Sequence, residues 1–314
     1  MEEKLDIVTI GECLIELSAN AKMKDAGCLY KYYGGDALAA AIAALRMGSK
    51  VGFITRVGND PFKEYLLDSW QNEGLDTTQV KLSDEPNGMY IIARPSVEEK
   101  EVLYYRKKIA PSKLSIDDIN KGYIQNSKVF YASGITQSLS PAANEAVEYA
   151  YKIAKEAGCI TAYDPNYHPL IVTAEAAKEN FFRIADYVDI LFMSTKHDTL
   201  NILDIESPEN IIKKIWDMGI QSVILKSIDR KGYYTGYNGN IFFTEFYTND
   251  YIDTTCSGDA FNGGFLHAIT HGFTYAEAVR FAAIVAGLQA KNIGAIKSIP
   301  YKDDVYSIYR SNNG

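Results

Sequence analysis

Asp253-Thr254-Thr255-Cys256-Ser257-Gly258-Asp259-Ala260-Phe261-Asn262-Gly263-Gly264 is the stretch that decides the reading of this chain. Its small residues suit a tight turn that opens a helix over Ser257–His271. The first N–H groups of a helix have no partner inside it and sit at the positive end of its dipole. Such a turn binds phosphate. A carboxylate inside it, Asp259, could take the proton of a hydroxyl attacking phosphorus. Cys256, Ser257, Gly258 and Asp259 are therefore the candidate anion hole and base. The same residues also suit a simple helix cap with close packing.

Outward from this turn, apolar β-branched runs alternate with helical patterns. Strands are predicted at Ile7–Ile10, Val51–Thr55, Lys128–Ala132, Ile160–Tyr163, Val188–Met193 and Ser222–Lys226. Helices are predicted at Asp36–Met47, Pro61–Glu73, Pro141–Ala157, Ala174–Ala185, Pro208–Met218, Ser257–His271 and Tyr275–Lys291. This alternation predicts an α/β fold with a mostly parallel central sheet and helices on both faces. Cys13–Tyr33 breaks the rhythm. So does a hairpin pattern, Gly88–Arg94 and Glu101–Arg106 around Pro95–Lys100. The two regions could pair into a small sheet of their own or edge the main one.

Bulk properties narrow the classes. The chain has 314 residues, enough for one large domain with an attachment. Its apolar share of 47% supports a substantial core. A net charge of −8 argues against a nucleic-acid surface. Met1–Asp6 carries no apolar leader, and the run Ala37–Leu45 is too short to span a bilayer, so no membrane partner is expected. Cys13, Cys28, Cys159 and Cys256 lack metal spacing and suit reduced thiols in a cytoplasm.

Several segments agree with the opening one. Asp253, Thr254, Gly258, Asp259 and Phe261 resemble the carboxy-terminal signature of ribokinase-like (PfkB) sugar kinases, with Cys256 and Ser257 where Gly and Ala are usual. Gly34-Gly35-Asp36 resembles the amino-terminal signature, and Val57–Phe62 a further one. Ile10–Ser18, Tyr104–Lys107 and Ala132–Thr136 are similar to 2-keto-3-deoxygluconate kinases. That resemblance covers most of the chain. It implies one kinase domain over 1–314, a lid formed by roughly 13–33 and 88–106, ATP with Mg²⁺ held mainly through the nucleotide, and K⁺ as a further ion. It also implies a homo-oligomer, a dimer through the lid.

Site roles follow from the resemblance together with residue chemistry. Gly34 and Gly35 permit close backbone approach, and Asp36 accepts from sugar hydroxyls. Tyr90, Tyr104, Tyr105 and Arg106 project from the lid, and a forked guanidinium matches a carboxylate. A lid arginine therefore suggests a sugar acid. Asp164-Pro165-Asn166-Tyr167-His168 resembles a D-x-N-x-R segment, with Asn166 near the phosphates and His168 in place of the usual arginine. Lys226, Ser227 and Gly232 resemble a nucleotide-contacting loop. Ala283 lies where the adenine pocket is expected, and Asn292–Ala295 where a monovalent-cation loop is. At Met193–His197 the usual metal-linked acid is absent, with Asp198 one position out of register, so no protein metal ligand is assigned.

The expected activity is ATP-dependent phosphorylation of 2-keto-3-deoxygluconate. A fructokinase or ribokinase of the same family is the alternative, as is a non-catalytic sugar- or nucleotide-binding protein. A thiol at a helix start tends to ionise, although Asp259 beside it should oppose this. Alkylation of Cys256 is expected to block activity and ATP to protect it.

Overall fold

A computed structural model describes residues 4–96 and 99–311. Met1–Glu3 and the middle of the turn at 95–100, Val97 and Glu98, lie outside the described residues. The strands are β1 Leu5–Ile10, β2 Leu14–Ala19, β3 Tyr30–Gly34, β4 Val51–Gly58, β5 Val80–Ser83, β6 Gly88–Ala93 and β7 Glu101–Tyr105. They continue with β8 Ser127–Ser133, β9 Ile160–Asp164, β10 Ile190–Ser194, β11 Ser222–Ser227, β12 Gly232–Tyr237 and β13 Asn240–Glu245.

Nine strands form one sheet in the order β13-β12-β11-β10-β9-β8-β1-β4-β5. All neighbours from β11 to β5 run parallel; β12 and β13 fold back antiparallel at one edge. The central strands are apolar on both faces, as Ile7, Val8, Phe130, Tyr131, Leu191 and Phe192 are all fully buried. Two helical layers cover them, each with its own hydrophobic cluster. Helix starts are set locally. Ser140, Thr173 and Ser207 each cap an N-terminus with the side-chain oxygen, and Thr274 with Glu277 closes a capping box.

The remaining strands form a second sheet in the order β3-β2-β6-β7. The two sequence regions therefore pair with each other and do not edge the main sheet. β2 runs parallel to β6, with Glu16 opposite Tyr90. No helix among the described residues is long and apolar enough to cross a membrane.

Three features build the cleft. β1, β8, β9 and β10 point their carboxyl ends at one edge, where open parallel sheets bind ligands. The helices Asp36–Met47 and Ser257–Thr270 pack closely because Gly263 has no side chain; a Cβ there would lie 2.1 Å from the carbonyl oxygen of Ala40. Their acidic starts, Asp36 and Asp259, thus share one end of the molecule. The small sheet contributes Tyr90, Tyr104 and Arg106 to the same end.

Candidate active site

The helix Ser257–Thr270 begins from Cys256, which adopts a left-handed backbone (φ 63°) as its N-cap. Ser257 N–H is used within the turn, donating to the Thr254 carbonyl at 3.1 Å. Among the described residues no acceptor takes the N–H groups of Cys256, Gly258 or Asp259. The anion hole expected from four consecutive residues thus has three open donors, and Ser257 contributes shape instead.

Asp259 is buried, and its Oδ1 accepts from Asn166 Nδ2 at 3.1 Å. Burial pushes its pKa well above the usual carboxylate value, and Asp36 adds to this while Lys226 opposes it. Asn166 reaches Asp259 from a left-handed turn (φ 47°) just beyond β9. Asp164 stabilises that turn by accepting from Asn166 N at 3.0 Å.

Lys226, at the end of β11, pairs with Asp164. Burial alone would lower its pKa, but Asp164 beside it keeps the value raised, so the group is a cation. A Cβ built on Gly258 would lie 3.3 Å from Lys226 Nζ, so the ammonium reaches the turn that opens the helix Ser257–Thr270. Asn262, one helical turn beyond Gly258, donates to Asp164 at 2.7 Å and to the Tyr131 hydroxyl at 3.1 Å.

Ser227, Gly232 and Ala283 have more structural surroundings. Ser227 is buried and lies 3.3 Å from the Thr195 hydroxyl. Gly232 begins β12, where a Cβ would lie 2.5 Å from the Thr244 carbonyl, while Lys231 before it takes the positive φ of the turn. The glycine is needed for strand packing, and the turn itself depends on Lys231. Ala283 is buried in the core.

Where β3 meets the helix Asp36–Met47, Gly34 and Gly35 bring the backbone close to its neighbours. Gly35 has φ 138°, and a Cβ on it would stand 2.3 Å from the Glu12 carbonyl. Asp36 accepts a hydrogen bond from Ser133 through one oxygen, while the other is buried without a protein partner. Tyr90 is buried and donates to Glu16 at 2.6 Å, which leaves its ring, not its hydroxyl, for a ligand. Strand alternation separates the lid aromatics. Tyr104 packs beside Tyr90 and His168, with ring centroids at 6.0 and 6.2 Å, whereas Tyr105 is 55% exposed on the opposite face.

Arg106 shares the face of Tyr104 and pairs with Glu12, which the sequence reading did not single out as a site residue. Burial lifts the Glu12 pKa to about 7 although Arg106 pulls it down, and its second oxygen has no partner. His168 titrates below its ordinary value through burial and then Arg106, so it is neutral near pH 7. Asp198 also escaped assignment. Its two oxygens accept from Ser194 N at 2.6 Å and Tyr167 N at 2.8 Å. It is a buried acid whose pKa is raised by burial and by Asp164 nearby. Its signal was present in the sequence, but the expected register lay one residue earlier.

The thiol of Cys256 is held protonated. Burial and Asp259 push it well above the ordinary thiol value, so the tendency of a helix start to ionise a cysteine is overridden here.

A family model described as pfkB family carbohydrate kinase matches residues 4–302. The chain belongs to the PfkB family of carbohydrate kinases. It is a sugar kinase by family, and relatives of full length are similar to it. A 2-dehydro-3-deoxygluconokinase from Thermoproteus tenax is 29% identical, over 93% of this chain and 91% of the relative. A 5-dehydro-2-deoxygluconokinase from Clostridium beijerinckii is 26% identical, covering 95% and 90%. An ATP-dependent 6-phosphofructokinase from Thermoanaerobacterium thermosaccharolyticum is 27% identical, covering 98% and 95%.

Solved structures share the PfkB chain's fold. The 2-dehydro-3-deoxygluconokinase of Thermotoga maritima matches with a TM-score of 0.88 at 23% identity, covering 98% of this chain and 99% of that one. The fructokinase of Xylella fastidiosa with bound ATP matches at 0.85 and 20%, with the same coverage.

Proposed function

We propose that this kinase transfers the γ-phosphoryl group of ATP to a hydroxyl of a small sugar acid, with 2-keto-3-deoxygluconate the favoured substrate. The observation that carries the reading is that a raised-pKa carboxylate, Asp259, lies beside three open N–H donors in the cleft that Arg106, Tyr104, His168 and Asp36 also line. Asp259, oriented by Asn166, takes the proton from the attacking hydroxyl. The N–H groups of Cys256, Gly258 and Asp259 stabilise charge on the moving phosphoryl group, a preorganised electrostatic effect. Lys226 adds a positive charge beside Gly258.

Mg²⁺ would enter with the nucleotide and neutralise phosphate charge there. The nearby acids do not fit a protein-held ion, since Asp198 spends both oxygens on backbone N–H groups and Asp164 is bound by Lys226 and Asn262. Gly34, Gly35 and Asp36 receive the sugar, and Tyr90, Tyr104 and Arg106 cover it. Closure of the small sheet excludes water that would hydrolyse ATP. Ser227, Gly232 and Ala283 are proposed to border the nucleotide from behind.

The relatives named for 2-dehydro-3-deoxygluconate and 5-dehydro-2-deoxygluconate support an acid. A neutral-sugar kinase is the second reading, favoured by one observation: Glu12 already pairs with Arg106. We also propose a cytoplasmic homodimer through the outer face of the small sheet, where Leu103 and Tyr105 are 43% and 55% exposed.

The test is a coupled assay with ATP and Mg²⁺ across 2-keto-3-deoxygluconate, 5-keto-2-deoxygluconate, fructose 6-phosphate, fructose and ribose. The sugar acids are expected to lead the neutral sugars in kcat/KM by about 10²-fold or more. Equal or faster turnover of fructose or ribose would establish the second reading instead.

A further inference from the structure

Resemblance implies a monovalent-cation loop at Asn292–Ala295. Ions of the potassium kind are held by several oxygens, often backbone carbonyls. Such oxygens do converge here. The carbonyls of Thr255 and Gly294, the Ser298 hydroxyl and the Asp253 carboxylate all border the turn that leads into Asp259.

The chain's own donors already hold these oxygens. Gln289, fully buried on the helix Tyr275–Ala290, directs Nε2 among them. The nitrogen lies 2.7 Å from the Thr255 carbonyl, 2.9 Å from the Ser298 hydroxyl and 3.3 Å from the Gly294 carbonyl. The amide orientation is assigned from these acceptors, because the flipped form would set oxygen against two carbonyls.

The amide oxygen of Gln289 is buried without a partner, whereas Asp253 is fully occupied. One oxygen accepts from Thr255 N at 3.0 Å and from the Thr255 hydroxyl at 2.6 Å. The other accepts from Gly294 N at 3.1 Å and forms an ion pair with Arg94 Nε at 2.6 Å. That last contact is not aligned as a hydrogen bond, so charge rather than direction holds it. Lys100 stands 3.6 Å away. Burial would raise the Asp253 pKa, but the Thr255 hydroxyl, Arg94 and Lys100 keep it below the usual value. Arg94, the residue after β6 of the small sheet, donates to Ser18 at 2.9 Å and faces Glu16 at 3.5 Å. A potassium ion would have to displace both an amide group and a guanidinium, so this donor set does not fit one.

We propose that Gln289 and Arg94 stand in for the monovalent cation. They are positioning residues. Gln289 ties the Thr255 carbonyl to the 294–298 loop, and Arg94 supplies the positive charge on Asp253 while linking the phosphate turn to the small sheet. Phosphoryl transfer by this chain therefore needs no potassium. The rate arm of the test rests on the kinase reading; the unfolding arm does not.

Rates and thermal unfolding are compared in KCl and in tetramethylammonium chloride at equal ionic strength, with ATP and Mg²⁺ present. The wild-type protein gives the same kcat and the same Tm in both salts. Gln289→Ala and Arg94→Ala open the oxygens. Their kcat in tetramethylammonium falls by about 10²-fold, the scale of a small displacement at a reacting centre, and KCl restores much of it. KCl also raises their Tm, a response that mere loosening of the fold would not produce. Potassium activation or stabilisation of the wild type overturns the proposal, as does indifference of folded variants to the salt. Should neither variant fold, the wild-type comparison decides. Should no sugar be phosphorylated, the kinase reading fails separately, and the unfolding comparison still decides this one.

Discussion

At the residue scale, proton affinity is set more by burial than by the helix start. Asp259 is lifted by burial and then by Asp36. A base works ionised, so kcat/KM should rise with pH through the raised pKa of Asp259 and then level. A pH–rate profile should put that acid limb above the ordinary carboxylate range. Glu12, at about 7, gives a second signature. Below that pH Glu12 is protonated and leaves Arg106 free for the carboxylate of the proposed sugar-acid substrate. Above it, Glu12 competes for the guanidinium. The KM for a sugar acid should therefore increase as pH rises through about 7, and Glu12→Gln should flatten the profile. Cys256 stays a thiol, so iodoacetamide near neutral pH should label exposed Cys28 well before Cys256, as peptide mapping would reveal. The sequence made Asp259, Arg106 and Cys256 visible, because their neighbours carry a motif. It hid the Glu12–Arg106 pair, whose members are 94 positions apart and meet only when the small sheet forms.

At the scale of elements, the helices and central strands were legible because their periodicity and caps agree. Asp36–Met47 has the predicted bounds, and most other predicted helices differ by a residue or two at an end. The strands β12 and β13 escaped because Gly and Tyr dominate the first, though Asn238-Gly239, both at positive φ, marks the hairpin. β5 is only four residues long, and only its pairing with β4 defines it. Gly35 is the element-level test. It joins β3 to the helix Asp36–Met47 at φ 138°, where a side chain would meet the Glu12 carbonyl. Gly35→Ala should destabilise the protein by about 1–3 kcal/mol, the cost of a strained backbone held by its surroundings. Denaturant unfolding measures that loss, and a raised sugar KM should accompany it as Glu12 shifts.

For the whole molecule, the architecture makes a cleft from two bodies with different tasks. The large sheet and the helix Ser257–Thr270 bring Asp164, Asn166, Lys226 and Asp259 together, the proposed phosphate end. The small one brings Tyr90, Tyr104 and Arg106 to the proposed sugar end. Alternation along the chain exposed the first body to prediction. The pairing of β2 with β6 was only one of two options in sequence, since a strand pattern does not name its partner. If the small sheet also joins two copies, Leu103→Glu with Tyr105→Glu should convert a dimer to a monomer in sedimentation velocity while leaving the fold intact. The central claim is that a single carboxylate accepts the substrate proton beside three open amides, and its most direct measurement is single-turnover phosphorylation by Asp259→Asn with ATP, Mg²⁺ and 2-keto-3-deoxygluconate. The account predicts a rate lower by about 10²- to 10⁴-fold with sugar and nucleotide still bound; an unchanged rate would contradict it.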